Sequence, residues 1–336
     1  MMRILLSSYH NPHFETITEY IEQAILELGH ELIVFDDRQH IIPGRIRKRI
    51  NFLHRYDLRV INKNLLSAVD LSKPDLVIVA GGHRIEPETI KAVKTKNIVT
   101  VLWTIDAPLN FEPIIKAAPF YNYIFCQGTE AVDLLTDSGI KGARWLPVGC
   151  SLQFHQNNKV TADKKKKFAF DVVFVGSYYP VRKELFEELT QFNIGIWGPG
   201  WENIEGPLRL RNAIKGAMLR SAEWLQVYNS SRIVLAPHYQ DPNGIITVNQ
   251  ASPRIFEALA CGAFVIADRQ KDVLALFRDK EHLVYYKDRR DIKEKIQYYL
   301  THPNKRKRIA LNGNRYVIEN HTFTNRIQEM LSFMFP

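Results

Sequence analysis

Along most of the chain, short apolar runs alternate with longer stretches in which apolar residues recur every three or four positions. RILLSS (3–8) is the first apolar run. In FETITEYIEQAILELG (14–29), Ile17, Ile21, Ile25 and Leu28 share one helical face and Gly29 stops the helix. HELIVFD (30–36) follows as a strand. PDLVIVAGG (74–82), NIVTVLWTID (97–106), YNYIFCQG (121–128) and ARWLPVG (143–149) repeat the run, with helical stretches near 85–96, 109–118 and 129–138. This alternation predicts an α/β fold, with a parallel sheet covered by helices on both faces.

Residues 150–169 interrupt the pattern with a polar stretch that includes Lys164–Lys167, which reads as an interdomain linker. Alternation then restarts. DVVFVGS (171–177), NIGIWGPG (193–200), RIVLAP (232–237), AFVIAD (263–268) and HLVYY (282–286) read as strands, and helices near 181–192, 222–231, 252–262 and 290–302 separate or follow them, with two further helices closing the chain. The result is two α/β halves of similar size. Between the second and third strands, 37–72 reads as a helical insertion rich in cations: Arg38, Arg45, Arg47, Lys48, Arg49, Arg55, Arg59 and Lys63. Such a face suits solvent, an anionic acceptor or a membrane surface.

At 336 residues, 46% hydrophobic and 24% charged, the chain can bury two cores. Its net charge of +9 favours anionic ligands only weakly. Three widely spaced cysteines, Cys126, Cys150 and Cys261, fit no zinc or redox spacing and suggest reduced thiols in a cytoplasmic protein. The first apolar run is too short for a secretion signal, and no window is apolar enough to span a membrane. Aromatic residues beyond Phe52 and Tyr56 do not interleave the basic insertion, which argues against nucleic acid as a partner.

Open parallel sheets bind ligands where their strands end, so residues just after strands are the candidates. In the second half the first strand enters VGSYYPVRK, where Gly176 permits a close turn and Arg182 and Lys183 lie at a helix start suited to phosphate. No GxGxxG or P-loop pattern follows any strand. SPRIFEALACGAFVIAD (252–268) is more informative. Ser252 is a candidate N-cap and Pro253 a good first helical residue. Arg254 stands in the first turn, against the helix dipole, a cost that a bound anion would offset. Glu257 shares its face one turn on. A capping box would need glutamate at 255, where the chain has Ile255. An arginine for a diphosphate and a carboxylate for a ribose diol make a nucleotide-diphosphate arrangement.

DVVFVGSYYPVRKELF (171–186), SPRIFEALACGAFVIAD and RIALNGNRYVIENHTFTNRIQEML (308–331) resemble the donor half of GT-B glycosyltransferases, in particular the CgeB-like (spore maturation protein) family. VLWTIDAP (101–108) and YIFCQGTE…LPVGCSLQFH (123–155) extend the resemblance through the first half. It implies two Rossmann-like, doubly wound domains facing a cleft: 1–165 on the acceptor side, 166–320 for a nucleotide-sugar donor, and 321–336 as a helix crossing back. It implies transfer of a hexosyl-type sugar from a UDP-, GDP- or TDP-sugar to an unidentified hydroxyl on a glycan, protein or small molecule, without a metal or other cofactor. Arg182 and Arg254 would meet the diphosphate, Glu257 the ribose, Ser252 the donor at the helix start, and Gly176 would clear room. Backbone near Gly216 and Met218 would meet the base.

Two positions depart from relatives. A Glu-x7-Glu motif would place glutamate at 249, where the chain has Asn249, able to bond a sugar hydroxyl but not to act as a carboxylate. Many CgeB-like chains carry asparagine at 252. On the acceptor side, Asp106 at a strand end is the candidate base if the reaction inverts, and His83 and His13, with His10, also follow strand ends. A non-catalytic nucleotide-sugar-binding or spore-surface protein, or a nucleotide-sugar epimerase, would suit the same architecture, and peripheral membrane or spore-surface association is a further expectation.

Overall fold

Strands that are buried on both faces need apolar side chains at every position, and the runs fold accordingly. The structure, a computed structural model, describes residues 1–42, 44, 49–155, 162–219, 223–241 and 248–336. It divides into two compact units, Met1–Pro147 with Phe323–Pro336, and Val148–Thr322.

In the first unit the elements follow in order: β1 (Arg3–Ser8), α1 (Ile17–Glu27), β2 (Glu31–Asp36), α2 (Asn51–Ser72), β3 (Leu76–Ala80), α3 (Pro87–Lys94), β4 (Val99–Thr104), α4 (Glu112–Ala117), β5 (Tyr123–Cys126), α5 (Thr129–Asp137) and β6 (Ala143–Trp145). All strand pairs are parallel, in the order β2-β1-β3-β4-β5-β6. Winding reverses between β1 and β3, which opens the carboxyl edge there.

The second unit begins with α6 (Leu152–His155) and α7 (Ala162–Lys167). It continues through β7 (Val172–Val175), α8 (Pro180–Glu187), β8 (Ile194–Trp197), α9 (Leu208–Ala213), β9 (Ile214–Gly216), α10 (Glu223–Ser230) and β10 (Ile233–Ala236). Then come α11 (Pro253–Ala260), β11 (Val265–Asp268), α12 (Lys271–Leu276), β12 (Val284–Tyr286), α13 (Arg289–Thr301) and α14 (Pro303–Asn320). Its parallel order is β12-β11-β10-β7-β8-β9, reversing between β7 and β10. A final helix, α15 (Phe323–Met334), belongs to the first unit. It buries Phe323, Ile327, Met330 and Met334, with the Phe323 ring 6.1 Å from Trp103 and 5.8 Å from Tyr20.

One expectation changes. The stretch at 150–169 is not a free linker where it is described. The Cys150 N–H donates to the His321 carbonyl at 2.9 Å, and Cys150, His155 and Phe168 are buried, so the change of unit falls at Pro147/Val148 rather than at 165/166. β9 escaped the reading because it is three residues long and none of them is fully buried. Within the insertion, α2 buries Ile61, Leu65 and Val69 and leaves Arg55, Arg59 and Lys63 exposed, while Arg45, Arg47 and Lys48 lie outside the described residues.

One buried amide fastens α2 to the loop after β3. Asn62 donates to the carbonyls of Leu58 (2.8 Å) and Arg84 (2.9 Å) and accepts from the Glu86 N–H (2.9 Å) and the Thr89 hydroxyl (2.8 Å). All four of its hydrogen-bonding positions are filled. Asn62→Ala should therefore destabilise the chain by about 2–4 kcal/mol in a urea titration, because it strands several buried partners at once.

Candidate functional site

At the switch point of the second sheet, α11 starts beside the ends of β7 and β10. Ser252 is its N-cap by backbone geometry, but its hydroxyl makes no capping bond. The helix start is held by a histidine instead. The Ser252 N–H donates to His238 Nε2 at 3.1 Å, so that nitrogen is the acceptor and the proton sits on Nδ1, which donates to Asp268 Oδ1. The His238 N–H also reaches Asp268 Oδ1, at 3.1 Å. Burial by itself would raise the Asp268 pKa, but His238 beside it and the hydrogen bonds from His238 and Gln270 outweigh it, and the net direction is down. His238 and Asp268 were missed in the sequence. The available signal was their position: β10 pairs with β11 in the register Ala236↔Ala267, so His238, two residues past β10's last residue, and Asp268, the last residue of β11, both fall at the carboxyl edge.

Arg254 does not project freely from α11. Its Nε donates to the Val175 carbonyl at the end of β7 (2.6 Å), its guanidinium lies 4.8 Å from the Phe174 ring centre, and its buried Nη1 has no partner. Gly176 makes this seat possible, since a Cβ there would fall 2.2 Å from Arg254 Nη2. The room that Gly176 clears thus holds the arginine, where the expectation was room for the donor itself.

Arg182 enters from α8 and is 6% exposed. Its Nη1 donates to the Ser177 carbonyl (2.9 Å) and its Nη2 to the Pro237 carbonyl (2.8 Å), tying the loop after β7 to the loop after β10. Its Nε is buried without a partner, and the guanidinium lies 5.1 Å from the same Phe174 ring. Burial, then the charge of Arg254, pull its pKa down to about 9. Among the described residues no carboxylate forms an ion pair with either guanidinium. Arg182, His238, Asp268, Arg269 and Gln270 line one concavity at this edge.

Glu257 is half-buried, and its backbone carbonyl accepts from the Cys261 N–H at 3.0 Å. Burial pushes its carboxyl up to about 7, with Arg254 pulling the other way. A diol donating two hydrogen bonds would favour its ionised form.

The remaining donor-side candidates are more dispersed. The Gly216 carbonyl accepts from the Gly198 N–H at 3.0 Å, and Met218 is 63% exposed. Asn249 is half-buried, and its carbonyl accepts from the Asp272 N–H at 3.1 Å.

In the first unit, a concavity at the β1/β3 edge brings His83 and Asp106 together but not His13, which is exposed in the loop before α1. Burial lowers the His83 pKa, against the pull of Asp106. Asp106 itself is exposed. Asp37 and Arg84, also missed in the sequence, line the same concavity. Among the described residues no three His, Cys, Asp or Glu side chains gather as a metal would need, and no helix is long and apolar enough to cross a membrane.

Residues 182–332 match the family described as "Glycosyl transferase-like". The chain has the GT-B fold. The matched stretch includes Arg182, Arg254 and Glu257. The chain is similar to the spore protein CgeB of Bacillus subtilis, 19% identical over 269 residues, which is 77% of this chain and 82% of CgeB. Among solved structures it resembles sucrose-phosphate synthase from Thermosynechococcus elongatus (TM-score 0.69, 13% identity, 100% of this chain and 99% of that one). Two others are HepE from Anabaena in complex with UDP-glucose (0.67, 12%, 99% of each chain) and UDP-GlcNAc 2-epimerase from Neisseria meningitidis bound to UDP-GlcNAc (0.55, 16%, 98% and 100%).

Gly176→Ala should unseat Arg254 and cost about 1–3 kcal/mol of stability, measured by chemical denaturation. Glu257 gives a pH signature. Its folded pKa lies above the ordinary value of 4.5, so its stabilising contribution is complete below that value and lost as pH rises through about 7. Glu257→Gln should therefore stabilise the ligand-free chain above pH 7, by up to roughly 3 kcal/mol, and change little at pH 4.

Proposed function

We propose that the chain transfers a sugar from a nucleotide-diphosphate sugar to a hydroxyl acceptor. The observation that carries this reading is the pair of guanidiniums, buried Arg182 and half-buried Arg254, set against one phenylalanine ring, with no carboxylate among the described residues ion-paired to either. Like charges held together in a partly desolvated place repel, and a diphosphate relieves both. Arg182 Nε and Arg254 Nη1 are buried nitrogens without a hydrogen-bond partner.

In this reading the donor lies across the carboxyl edge of the second sheet. Its diphosphate meets the two arginines and the start of α11, and its ribose meets Glu257. As the sugar–phosphate bond breaks, negative charge grows on the leaving diphosphate. The guanidiniums, already fixed by carbonyls, stabilise that charge without reorganising, which is the part a metal plays elsewhere. His238 and Asp268 keep the start of α11 in place. The nucleotide sugars held by HepE and by the Neisseria enzyme support this class of donor. The latter's name also favours a second reading, epimerisation of a bound nucleotide sugar, which would proceed without an acceptor.

A thermal-shift screen of UDP-, GDP-, TDP- and CDP-sugars tests the proposal. A true donor at 100 times its Kd should stabilise the fold by about 2.7 kcal/mol. Arg254→Ala should weaken that donor by roughly 10–100-fold, the worth of a lost charge-assisted contact. No shift with any nucleotide sugar would overturn the reading, whereas isomerised donor recovered without sugar transfer would favour the epimerase.

A further inference from the structure

The outward side of α2 in the first unit carries an unusual mixture of side chains. Phe52, Tyr56, Arg59 and Lys63 are spaced four, three and four residues apart, so they form one stripe along the helix. The opposite side packs on the sheet, where Ile61, Leu65 and Val69 join Val77 and Val79 in one core. Phe52 is 71% and Tyr56 52% exposed, and Ile50, directly before the helix, is exposed as well. Single exposed apolar residues are ordinary, but large ones on successive turns mark a contact surface.

The charges of this segment are sorted by side. From Arg49 to Lys63 the chain has one carboxylate, Asp57, and it is buried. Asp57 accepts from the Ile41 N–H at 2.9 Å and pairs with His40 Nδ1 at 2.6 Å. Those bonds hold 40–41 against the first half of α2 and bring the exposed Ile41 side chain to the same end of the helix. Arg49, Arg55, Arg59 and Lys63 are exposed, and among the described residues none of them pairs with a carboxylate. Asp70, further along the same side, is engaged by Lys96 at 2.6 Å. The first half of α2 therefore offers water aromatic rings and free cations, with no acid among them.

We infer that this side of α2 is a docking surface for an anionic lipid bilayer. Phe52, Tyr56 and the isoleucines enter the headgroup layer, and the cations meet lipid phosphates and carboxylates within a Debye length of the surface. A nucleic-acid duplex would neutralise the cations but has no apolar layer for Phe52 and Ile41. A folded protein would need an acidic and apolar patch in matching register, whereas a bilayer presents both kinds of contact at every point. Docking of this kind needs neither donor nor transfer, so its outcome is separate from that of the nucleotide-sugar screen.

The test is co-sedimentation of the full chain with sucrose-loaded vesicles of phosphatidylcholine alone, or of phosphatidylcholine with about one-third phosphatidylserine. Wild type should bind the serine-containing vesicles, stay in solution with the neutral ones, and lose affinity as salt shortens the Debye length. A cation near an anionic surface is worth about fivefold in binding, so Arg59→Ala/Lys63→Ala should weaken it at least tenfold. Phe52→Ser/Tyr56→Ser keeps every charge and should also weaken it by about tenfold or more. Lys141→Ala/Arg144→Ala removes two exposed cations near β6, at the other edge of the same sheet from β2, and should bind within about twofold of wild type. No binding to either vesicle, equal binding to both, an equal loss in the β6 variant, or no effect of removing the aromatics would each overturn the assignment. A DNA duplex that binds more tightly than the vesicles, and binds wild type and Phe52→Ser/Tyr56→Ser alike, would make the surface a nucleic-acid site and end the proposal. An α2 variant that fails to fold would show its side chains to be structural, with the same result.

Discussion

The bond from Arg254 Nε to the Val175 carbonyl, with the clasp of Arg182 on Ser177 and Pro237, is the contact on which the second unit's chemistry depends. Each bond joins a side chain to backbone at the end of a parallel strand, where the last carbonyls have no further partner in the ladder. The carbonyl dipoles make the buried charges tolerable, but they carry no formal negative charge. The lowered pKa of Arg182 records what is missing. The contacts that fix the loops therefore also leave them cationic, and Gly176 belongs to the arrangement because any side chain there would occupy the guanidinium's place.

The two units use a similar device. In the second, Glu257 sits close to Arg254 without a hydrogen bond; in the first, Asp37 sits close to Arg84 without one. Burial raises both carboxyls, and in both a neighbouring arginine limits the rise. Folding leaves such groups poorly solvated, and the hydroxyls of a sugar or ribose are suitable partners. Both lie at carboxyl edges, where helix starts and loops rather than ladder bonds decide what is satisfied.

Much of this architecture was legible in the chain because parallel strands are apolar on both faces: RILLSS coincides with β1, and the run LVIVA within 74–82 is β3. β9 was not, since Ile214–Gly216 carries no apolar run and takes its identity from pairing with β8. At the site, the residue types of Arg182, Arg254 and Glu257 could be picked out, but the direction of their donors could not. Whether an arginine spends its N–H groups on a ligand or on carbonyls depends on loops brought together only by folding. His238 and Asp268 lie 30 residues apart and meet through strand register. Asp37 was hidden for another reason: within DDR at 36–38 it reads as a solvated turn, and only the packing around β1 and β2 closes it off.

The return of α15 to the first unit has a consequence for how the polypeptide acquires its shape. That unit is discontinuous: Trp103 and Tyr20 stay without the Phe323 ring until all of Val148–Thr322 has been made. The second unit, continuous in sequence, can form during synthesis while its elder neighbour waits with an apolar groove uncovered. The order of completion is thus the reverse of the order of translation, and the first-made sheet is the last to be sealed.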